Sequence, residues 1–400
     1  MSAAAPAGTL LEVDVAIVGG VRALLVETAP MGAATQPSFD ERTTALGNAS
    51  RRIFEALGVW AEIAAEAAAI RAIHVSEAGR YGCARLRAAE QGIDAFGYVV
   101  ANRRIGAALW GRLAKAPELV LRVPGAATDV EIGPQGVRFN VSAADGAHEA
   151  VSAALVVAAD GAHSQIRAAA AIAAAVEDYE QVAVVATVAA DRPHAGVAYE
   201  RFTSAGPLAV LPLHDGTLAV IWACRPERAR ELLALDTDAY LRQLQRQFGW
   251  RAGRFVCAGR RGSYPLKLTR AATTVGVRTV LIGNAAQALH PVAGQGFNLG
   301  LRDAAMLAEV IVNARGDLGA PQLLERFAAW RARDRRGVVA FTDGLVKLFA
   351  DQRPGVGWLR SLGLLLFDLA PPAKSALARV SAGVGGPAPR LARGLPAQHV

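Results

Sequence analysis

The segment most suited to ligand chemistry is residues 283–303, GNAAQALHPVAGQGFNLGLRD. It combines four glycines, a proline and several amide side chains, which are poor material for a protein core. Glycine lets a ligand approach the backbone closely, and the N–H groups that open a helix attract an anionic group. The sequence therefore predicts a ligand-binding loop that leads into a helix over about residues 297–314.

A second candidate is the apolar run 155–159, which ends in Asp160-Gly161 and is followed by Ser164 and Arg167. A carboxylate at the end of a buried strand can bind a ligand. Asp and Ser are also common turn and helix-capping residues. Taken alone, the segment favours this structural role.

A third candidate is the apolar segment 13–20, which ends in Gly19-Gly20 and precedes Glu27. In a dinucleotide-binding βαβ unit, glycines admit the pyrophosphate and an acid at the end of the second strand binds the ribose. Here the acid follows only seven residues after Gly20, whereas a parallel crossover needs at least about ten. The pattern predicts a hairpin or one long strand, and retains only part of the dinucleotide fingerprint.

The elements that must position these segments alternate along the chain. Residues 50–69, 103–113 and 227–248 have helical patterns, residues 182–224 read as an antiparallel sheet, and residues 279–283 read as a buried strand. The chain beyond residue 314 is predicted to be helical, with breaks at Pro354 and at Pro371-Pro372.

Composition excludes several classes of protein. Hydrophobic residues make up 52% of the 400 positions and charged residues 20%, which excludes a disordered chain. Three scattered cysteines predict neither a disulfide framework nor a metal site, and no other ligand cluster predicts a metal. The first residues lack a signal-peptide pattern and no apolar run reaches the roughly 20 residues of a membrane span. We therefore expect a cytoplasmic protein, either soluble or associated with the membrane surface.

The positive charge is concentrated in the last 70 residues. The net charge is +8 for the chain, and residues 331–400 contain eleven Lys or Arg against four Asp. This predicts a region that faces an acidic surface, either anionic lipid or a partner protein. The leucine-rich segment 358–367 is compatible with such a surface and equally with a core helix. We find no nucleic-acid-binding motif and expect no nucleic-acid partner.

Together these segments resemble the flavoprotein aromatic hydroxylases, in particular their ubiquinone-biosynthesis branch. The resemblance extends over almost the whole chain, and its further motifs are FDERTTAL (39–46), FGYVVANRRIGAAL (96–109), GPLAVLPL (206–213), YPLKL (264–268) and FTDGLVKLF (341–349). In that family a longer segment, with the remaining glycines and the first helix, stands where this chain runs from residue 20 to 21.

The resemblance implies an α/β fold. It consists of a Rossmann-like FAD-binding domain, an inserted antiparallel-sheet substrate domain and a helical C-terminal region, with the first βαβ helix missing. The implied FAD-binding domain comprises residues 1–75, 96–175 and 265–330. The substrate domain comprises 76–95 and 176–264, and the basic helical region comprises 331–400.

The resemblance also implies roles for individual residues. Most of them would contact the cofactor, and Pro291 would lie beside the isoalloxazine ring. His290 and Pro291 are the candidate catalytic residues, His290 because an imidazole titrates near neutrality, and a packed loop histidine is the alternative that the sequence favours. The implied cofactor contacts are Gly19, Gly20 and Glu27 for the ADP moiety, Arg42 with Arg103 or Arg104 nearby, Asp160 and Gly161 for FAD and the nicotinamide donor, Gly283 and Asn284 for the ribityl chain and pyrophosphate, and Gly294, Gln295 and Gly296 beside the isoalloxazine ring.

The implied activity is FAD-dependent hydroxylation of a polyprenylated (methoxy)phenol in ubiquinone biosynthesis. NAD(P)H would reduce the flavin, O₂ would be captured as a flavin hydroperoxide, and the phenol would attack its distal oxygen. The C-terminal region would contact the membrane surface or a ubiquinone-biosynthesis complex. The alternative is an FAD-deficient relative that acts as a non-catalytic subunit of such a complex.

Overall fold

A computed structural model describes residues 11–13, 22–30, 42–143, 146, 148–351, 353, 355–381 and 388–397. Its strands, numbered along the chain, fall into five sheets. They are β1 Leu11–Val13, β2 Ala23–Val26, β3 Thr43–Gly47, β4 Ala68–Ile70, β5 Ala72–Glu77, β6 Cys83–Arg87, β7 Gly97–Ala101, β8 Leu119–Arg122, β9 Gly125–Ile132, β10 Val137–Ala143, β11 His148–Ala153, β12 Val156–Ala158, β13 Ala174–Ala190, β14 Val197–Thr203, β15 Gly206–Pro212, β16 Leu218–Cys224, β17 Phe255–Ala258, β18 Gly262–Ala271, β19 Val275–Gly276, β20 Thr279–Leu281 and β21 Gln287–Ala288.

The α-helices cover the sheets and form the C-terminal part of the described chain. They are α1 Asn48–Ala56, α2 Trp60–Ala64, α3 Asn102–Leu113, α4 Gln165–Ala169, α5 Pro226–Ala234, α6 Thr237–Phe248, α7 Gln295–Val312, α8 Pro321–Ala350, α9 Val356–Asp368 and α10 Pro371–Ser381. None of these helices is both long and apolar enough to cross a bilayer.

The largest sheet has the strand order β21-β18-β13-β16-β15-β14-β5-β6, with β17 pairing on β13. Most neighbours are antiparallel, but β5 pairs in parallel with β14 and so attaches the early β5–β6 hairpin to the later strands. One face packs against α5 and α6, where Trp222, Tyr240, Leu244 and Phe248 form a buried cluster. The opposite face borders the cavity described below.

The smaller sheets, outside the largest one, contain three parallel strand pairs among the described residues. β12 pairs with β20, and β2 pairs with β8, while β1 pairs in parallel with β11 of a separate four-stranded sheet. β1 and β2 therefore lie in different sheets. The residues between them, 14–21, lie outside the described part of the chain, so the missing first βαβ helix stays a prediction. Buried Met306 of α7 and Phe327 of α8 pack on the β12–β20 pair.

The structure corrects two of the predicted helices. Residues 50–69 form α1, α2 and β4 rather than one helix, because Gly58 adopts a φ of +73° and ends the first helix. Residues 227–248 form α5 and α6. Asp236 starts the second of these by accepting a hydrogen bond from the Ala239 N–H at 2.6 Å.

Three of the five predicted domain limits fall inside strands of the largest sheet. β5 spans the limit at residues 75 and 76, β13 the limit at 175 and 176, and β18 the limit at 264 and 265. All three strands lie wholly in this sheet. The division into domains stays a prediction.

A buried ion pair joins α7 to α8. The Asp303 carboxylate accepts a hydrogen bond from Arg331 Nε at 2.7 Å, and the two residues are 3% and 2% exposed. Arg331 also pairs with Asp334, which pairs in turn with Arg302. A charge buried this deeply is stable only when it is paired, so the cluster fixes how the two helices meet.

We predict that Asp303→Asn destabilises the protein, because it removes one of the two carboxylates that pair with the buried Arg331 guanidinium and leaves Asp334 to be shared by Arg331 and Arg302. Breaking a buried pair costs about 3–5 kcal/mol, and urea unfolding of the full chain measures the loss. The matched control is Asp178→Asn, whose pair with Lys267 is half exposed and screened by water. Equal losses for the two variants would contradict the role assigned to Asp303.

Candidate functional site

The turn after β20 is held by the same buried carboxylate. The Gly283 N–H donates to Asp303 Oδ2 at 3.3 Å, and Gln287 Nε2 donates to the same oxygen at 2.7 Å. Gly283 has a φ of +56°, and a Cβ added there would meet no atom within 4 Å. Asn284 beside it is exposed. The backbone of the turn at Gly283 therefore borders open space, and hydrogen bonds to the buried Asp303 hold its conformation.

The start of α7 is a second open backbone segment. Gly294, with a φ of +60°, precedes the first helical residue, Gln295. Among the described residues no side chain caps this end, and the first turn has no acidic residue. A Cβ added at Gly296 would meet nothing within 4 Å. The positive dipole end of an 18-residue helix therefore faces this open segment, where it attracts an anionic or electron-rich group.

Asn298 fixes the position of this helix start against β3. Its amide donates to the carbonyls of Ala45 and Gly294, both at 2.8 Å. Its Oδ1 accepts from the Gly47 N–H at 2.8 Å and the Ser50 hydroxyl at 2.7 Å. The site prediction omitted Asn298, although an amide side chain in a glycine-rich loop was the available signal.

The Asp160-Gly161 segment lies next to the turn at Gly283, because β12 and β20 are parallel neighbours and end at the same edge. Asp160 Oδ2 accepts from the N–H groups of Gln165 at 2.8 Å and Ile166 at 3.2 Å. Gly161 has a φ of +87° and open space around its missing Cβ. Carboxyl ends of parallel strands are the usual place for a nucleotide ligand.

Arg167 joins these two loops and was also missed as a site residue. Its guanidinium donates to the carbonyl of Ala162 at 2.8 Å and to that of Ala285 at 2.9 Å. Ser164 caps α4 by accepting from the Arg167 N–H at 2.9 Å. The predicted capping role of Ser164 is therefore present, and it places the arginine that bridges the loops.

The remaining predicted cofactor residues are spread more widely. Glu27 directly follows β2 and accepts from the Ala29 N–H at 2.9 Å. The Arg42 guanidinium lies 5.6 Å from the centre of the Tyr264 ring. On α3, Arg103 pairs with Glu66, just after α2, at 3.0 Å, and Arg104 donates to the carbonyl of Glu62 in α2 at 2.8 Å. Gly19 and Gly20 lie outside the described residues.

His290 is 1% exposed, and both of its ring nitrogens have partners. Nδ1 accepts from the Val292 N–H at 3.1 Å, and Nε2 lies 3.3 Å from Gln181 Oε1. The Tyr179 ring packs edge-on against the imidazole. Burial lowers the pKa of His290 to about 4. This geometry is typical of a packed loop histidine, and the catalytic role of His290 and Pro291 stays a prediction.

An apolar cavity of about 300 Å³ adjoins the start of α7. Val292, Gln295 and Asn298 form one side of it, and strands of the largest sheet form its floor. Helices α8, α9 and α10 form its roof. The other side chains that line it come from the sheets and from the roof helices. They are Ala45 and Leu46 of β3, Ile70 of β4, Ile73 and Val75 of β5, Ala84 and Leu86 of β6, Phe96 just before β7, and Glu200 and Phe202 of β14, with Phe341, Leu345 and Phe349 of α8, Leu364 and Phe367 of α9, and Leu377 and Ala378 of α10.

A second buried ion pair holds this roof in place. Arg360 of α9 donates to Glu77 Oε1 at 2.6 Å, and to the carbonyls of Leu348 at 2.8 Å and Asp351 at 2.6 Å. Its guanidinium also lies over the ring of Phe349. Arg331, Arg335 and Arg360 are thus directed into the protein. Three of the eleven basic residues of 331–400 therefore have their partners inside the protein, and the contact of this region with a membrane surface or a complex stays a prediction.

We predict that His290 makes stability depend on pH. Its pKa is about 4 in the folded chain against 6.5 when exposed, so the unfolded chain binds the proton more strongly. The contribution is complete above pH 6.5 and is lost as the pH falls toward 4, by up to about 3 kcal/mol. Unfolding measured between pH 7 and 4 should show a shallower decline for His290→Gln. The exposed His163→Gln is the control, and an unchanged slope in His290→Gln would refute the prediction.

Comparison with known proteins accords with this arrangement. The FAD binding domain family matches residues 4–342. Ubiquinone hydroxylase UbiL of Rhodospirillum rubrum is 36% identical over 384 residues, which cover 94% of this chain and 88% of that protein. The 3-demethoxyubiquinol 3-hydroxylase of Escherichia coli is 31% identical over 349 residues, covering 86% and 87% of the two chains.

The fold has close counterparts among solved structures. The p-nitrophenol 4-monooxygenase PnpA of Pseudomonas putida superposes with a TM-score of 0.76 over 94% of this chain and 99% of that one, at 17% identity. At such low identity the match shows the α/β fold alone. The family match and the identities to the two hydroxylases show more: the chain belongs to the FAD binding domain family, as a flavoprotein of the aromatic-hydroxylase type.

Proposed function

We propose that the protein is an FAD-dependent monooxygenase that hydroxylates a polyprenylated phenol in ubiquinone biosynthesis, with NAD(P)H as electron donor. The observation that carries the proposal is the contact between the apolar cavity and the start of α7. Gln295 and Asn298 line the cavity and also belong to the open backbone segment that begins at Gly294. A substrate in the cavity would thus meet a cofactor held by that segment.

The described residues fit an FAD molecule. Gly161 and Gly283 have positive φ and leave open space where a side chain would project. No described side chain caps the α7 N-terminus, and its first turn has no acidic residue. Arg167 donates hydrogen bonds to both loops, and Asp303 accepts one from the Gly283 N–H, so both loops are held by buried or half-buried side chains. When bound, FAD supplies electron transfer and oxygen activation, which no side chain can supply.

The protein's own residues would orient the substrate and exclude water. A cavity lined mostly by Leu, Ile, Val, Ala and Phe suits a phenol ring that carries apolar substituents. Gln295 lines the cavity at the side facing α7, and Glu200 adds one carboxylate. The Asn298 amide is instead occupied in holding the start of α7 against β3. The roof helices cover the ring and keep bulk water from the reacting atoms. Arg360 and Glu77 act as positioning residues for that roof.

The relatives support this substrate class. The names of the matched proteins from Rhodospirillum rubrum and Escherichia coli specify hydroxylation of ubiquinone or of a ubiquinol precursor, and this chain spans nearly nine tenths of each. The volume of about 300 Å³ is at the low end for a ligand pocket. It accommodates a substituted ring with the first part of a tail, so the rest of a long tail would extend beyond the cavity.

The proposal is tested with the full chain loaded with FAD, a short-chain prenylated phenol, NADPH or NADH, and ¹⁸O₂. We expect nucleotide oxidation to rise with the phenol, and the product to gain one ¹⁸O atom by mass spectrometry. Nucleotide oxidation that yields only peroxide would contradict the substrate assignment. A chain that retains no flavin would favour the non-catalytic alternative.

A cavity-filling variant connects this activity to the cavity. Leu345 of α8 lines the cavity, whereas Leu348 on the same helix is exposed and does not. We predict that Leu345→Trp raises the KM for the phenol at least about tenfold through lost space, with flavin content unchanged. Leu348→Trp is the matched control. An unchanged KM in a folded, flavin-loaded Leu345→Trp protein would place the substrate elsewhere.

A further inference from the structure

Helix α9 has its apolar side chains on the outside. Six large side chains on its outer face and at its end are 45–74% exposed: Trp358, Leu359, Leu362, Leu365, Leu366 and Leu369. Tyr81, in the turn between β5 and β6, is fully exposed. This turn contacts α9, because the Gly82 N–H donates to the Ser361 hydroxyl at 2.9 Å. Single exposed leucines are common, but a contiguous apolar face of this kind marks a contact surface. We call these seven residues the α9 surface.

The polar residues of the same helix face the protein. Arg360 is buried against Glu77, Ser361 bonds to Gly82, and Asp368 accepts from the Arg85 N–H at 2.8 Å. Leu364 and Phe367 extend from the inner face into the cavity. An ordinary surface helix has the opposite arrangement, with its polar side toward water. The medium outside α9 must therefore be apolar for this sequence to be stable there.

The border of the α9 surface carries positive charge. Arg80 and Arg85 are exposed, and the Arg80 guanidinium lies so close to Gly357 that a Cβ added there would meet it at 2.5 Å. The nearby carboxylates of Asp351 and Asp368 are paired with Arg353 and Lys374. Leucines between an exposed Trp, an exposed Tyr and arginines are typical of helices that lie in the headgroup region of a bilayer.

We propose that the α9 surface docks on a lipid bilayer, with its leucines at the boundary between headgroups and acyl chains and the neighbouring arginines beside anionic headgroups. The occupant is lipid rather than protein because the surface is dominated by leucine, which is under-represented in the energetic centres of protein interfaces. Since no described helix can span a membrane, the protein would lie on the bilayer.

Docking of this kind would place the cavity next to the bilayer. Only one helix separates the cavity from the α9 surface, since Leu364 and Phe367 face the cavity while Leu362, Leu365 and Leu366 face outward. A substrate with a long apolar tail could then keep its tail in lipid while its ring enters the protein. This delivery role rests on the proposed function, whereas the docking itself does not.

The test is co-sedimentation of the full chain with phosphatidylcholine vesicles and with vesicles that also contain phosphatidylglycerol. We expect binding to both, stronger with the anionic lipid, and at least about tenfold weaker binding for the double variant Leu359→Ser, Leu366→Ser. The control is Val256→Ser, Val277→Ser, which removes two exposed apolar side chains elsewhere. Size-exclusion chromatography with light scattering is run on every variant.

Three results would overturn the proposal. The unmodified chain could stay in the supernatant with both vesicles, or the Leu359, Leu366 variant could bind as well as the unmodified chain. The third is a dimer that becomes a monomer in that variant with vesicle binding unchanged, which would make a second copy the occupant. Oxidation of NAD(P)H stimulated by a short-chain phenol is measured in parallel without vesicles. Normal stimulation with failed docking would refute this inference and leave the proposed function intact.

Discussion

A single buried carboxylate, Asp303, connects the parts of the protein on which the site depends. It accepts hydrogen bonds from the turn at Gly283, from Gln287 and from Arg331 of α8. Without these donors a carboxylate at this depth would be costly to bury, so loop, helix and ion pair stabilise one another. The first turn of the cofactor loop and the start of the C-terminal region therefore have one common anchor.

The consequences extend to the cavity. Because Arg331 fixes α8 against α7, the later part of α8 can cover the sheet with Phe341, Leu345 and Phe349. Arg360 then binds the end of α8 and Glu77 of β5, which places α9 over the same space. Arg331 and Arg360 are two of the basic residues that suggested contact with an acidic surface, and both stabilise these internal contacts. The side chains that α9 exposes are mainly apolar, so the docking proposed for it would depend chiefly on leucine and aromatic side chains.

Much of the local structure around the candidate site could be predicted from neighbouring residues in the sequence. The glycines of residues 283–303, the strand before them and a helix after them were predicted, and the helix begins at Gln295 rather than near residue 297. The capping role of Ser164 also followed from residue type. These features depend on neighbours within a few positions, which a single sequence displays.

The missed features depend on distant residues. The parallel pairing of β5 with β14, three of the four hydrogen bonds of Asn298 and the pair of Arg360 with Glu77 each join segments more than 100 residues apart. Side-chain type shows that such groups need partners but not which partners they find. The break at Gly58 was missed for another reason, since the alanine-rich sequence around it favours a helix on both sides.

We expect the loops at Asp160-Gly161, Gly283 and Gly294–Gly296 to hold FAD in this chain as it stands. The visible spectrum of the purified full chain, taken after incubation with FAD and desalting and together with its intact mass, measures this. We expect a retained flavin band at close to one flavin per chain. A colourless protein of the expected mass would contradict it.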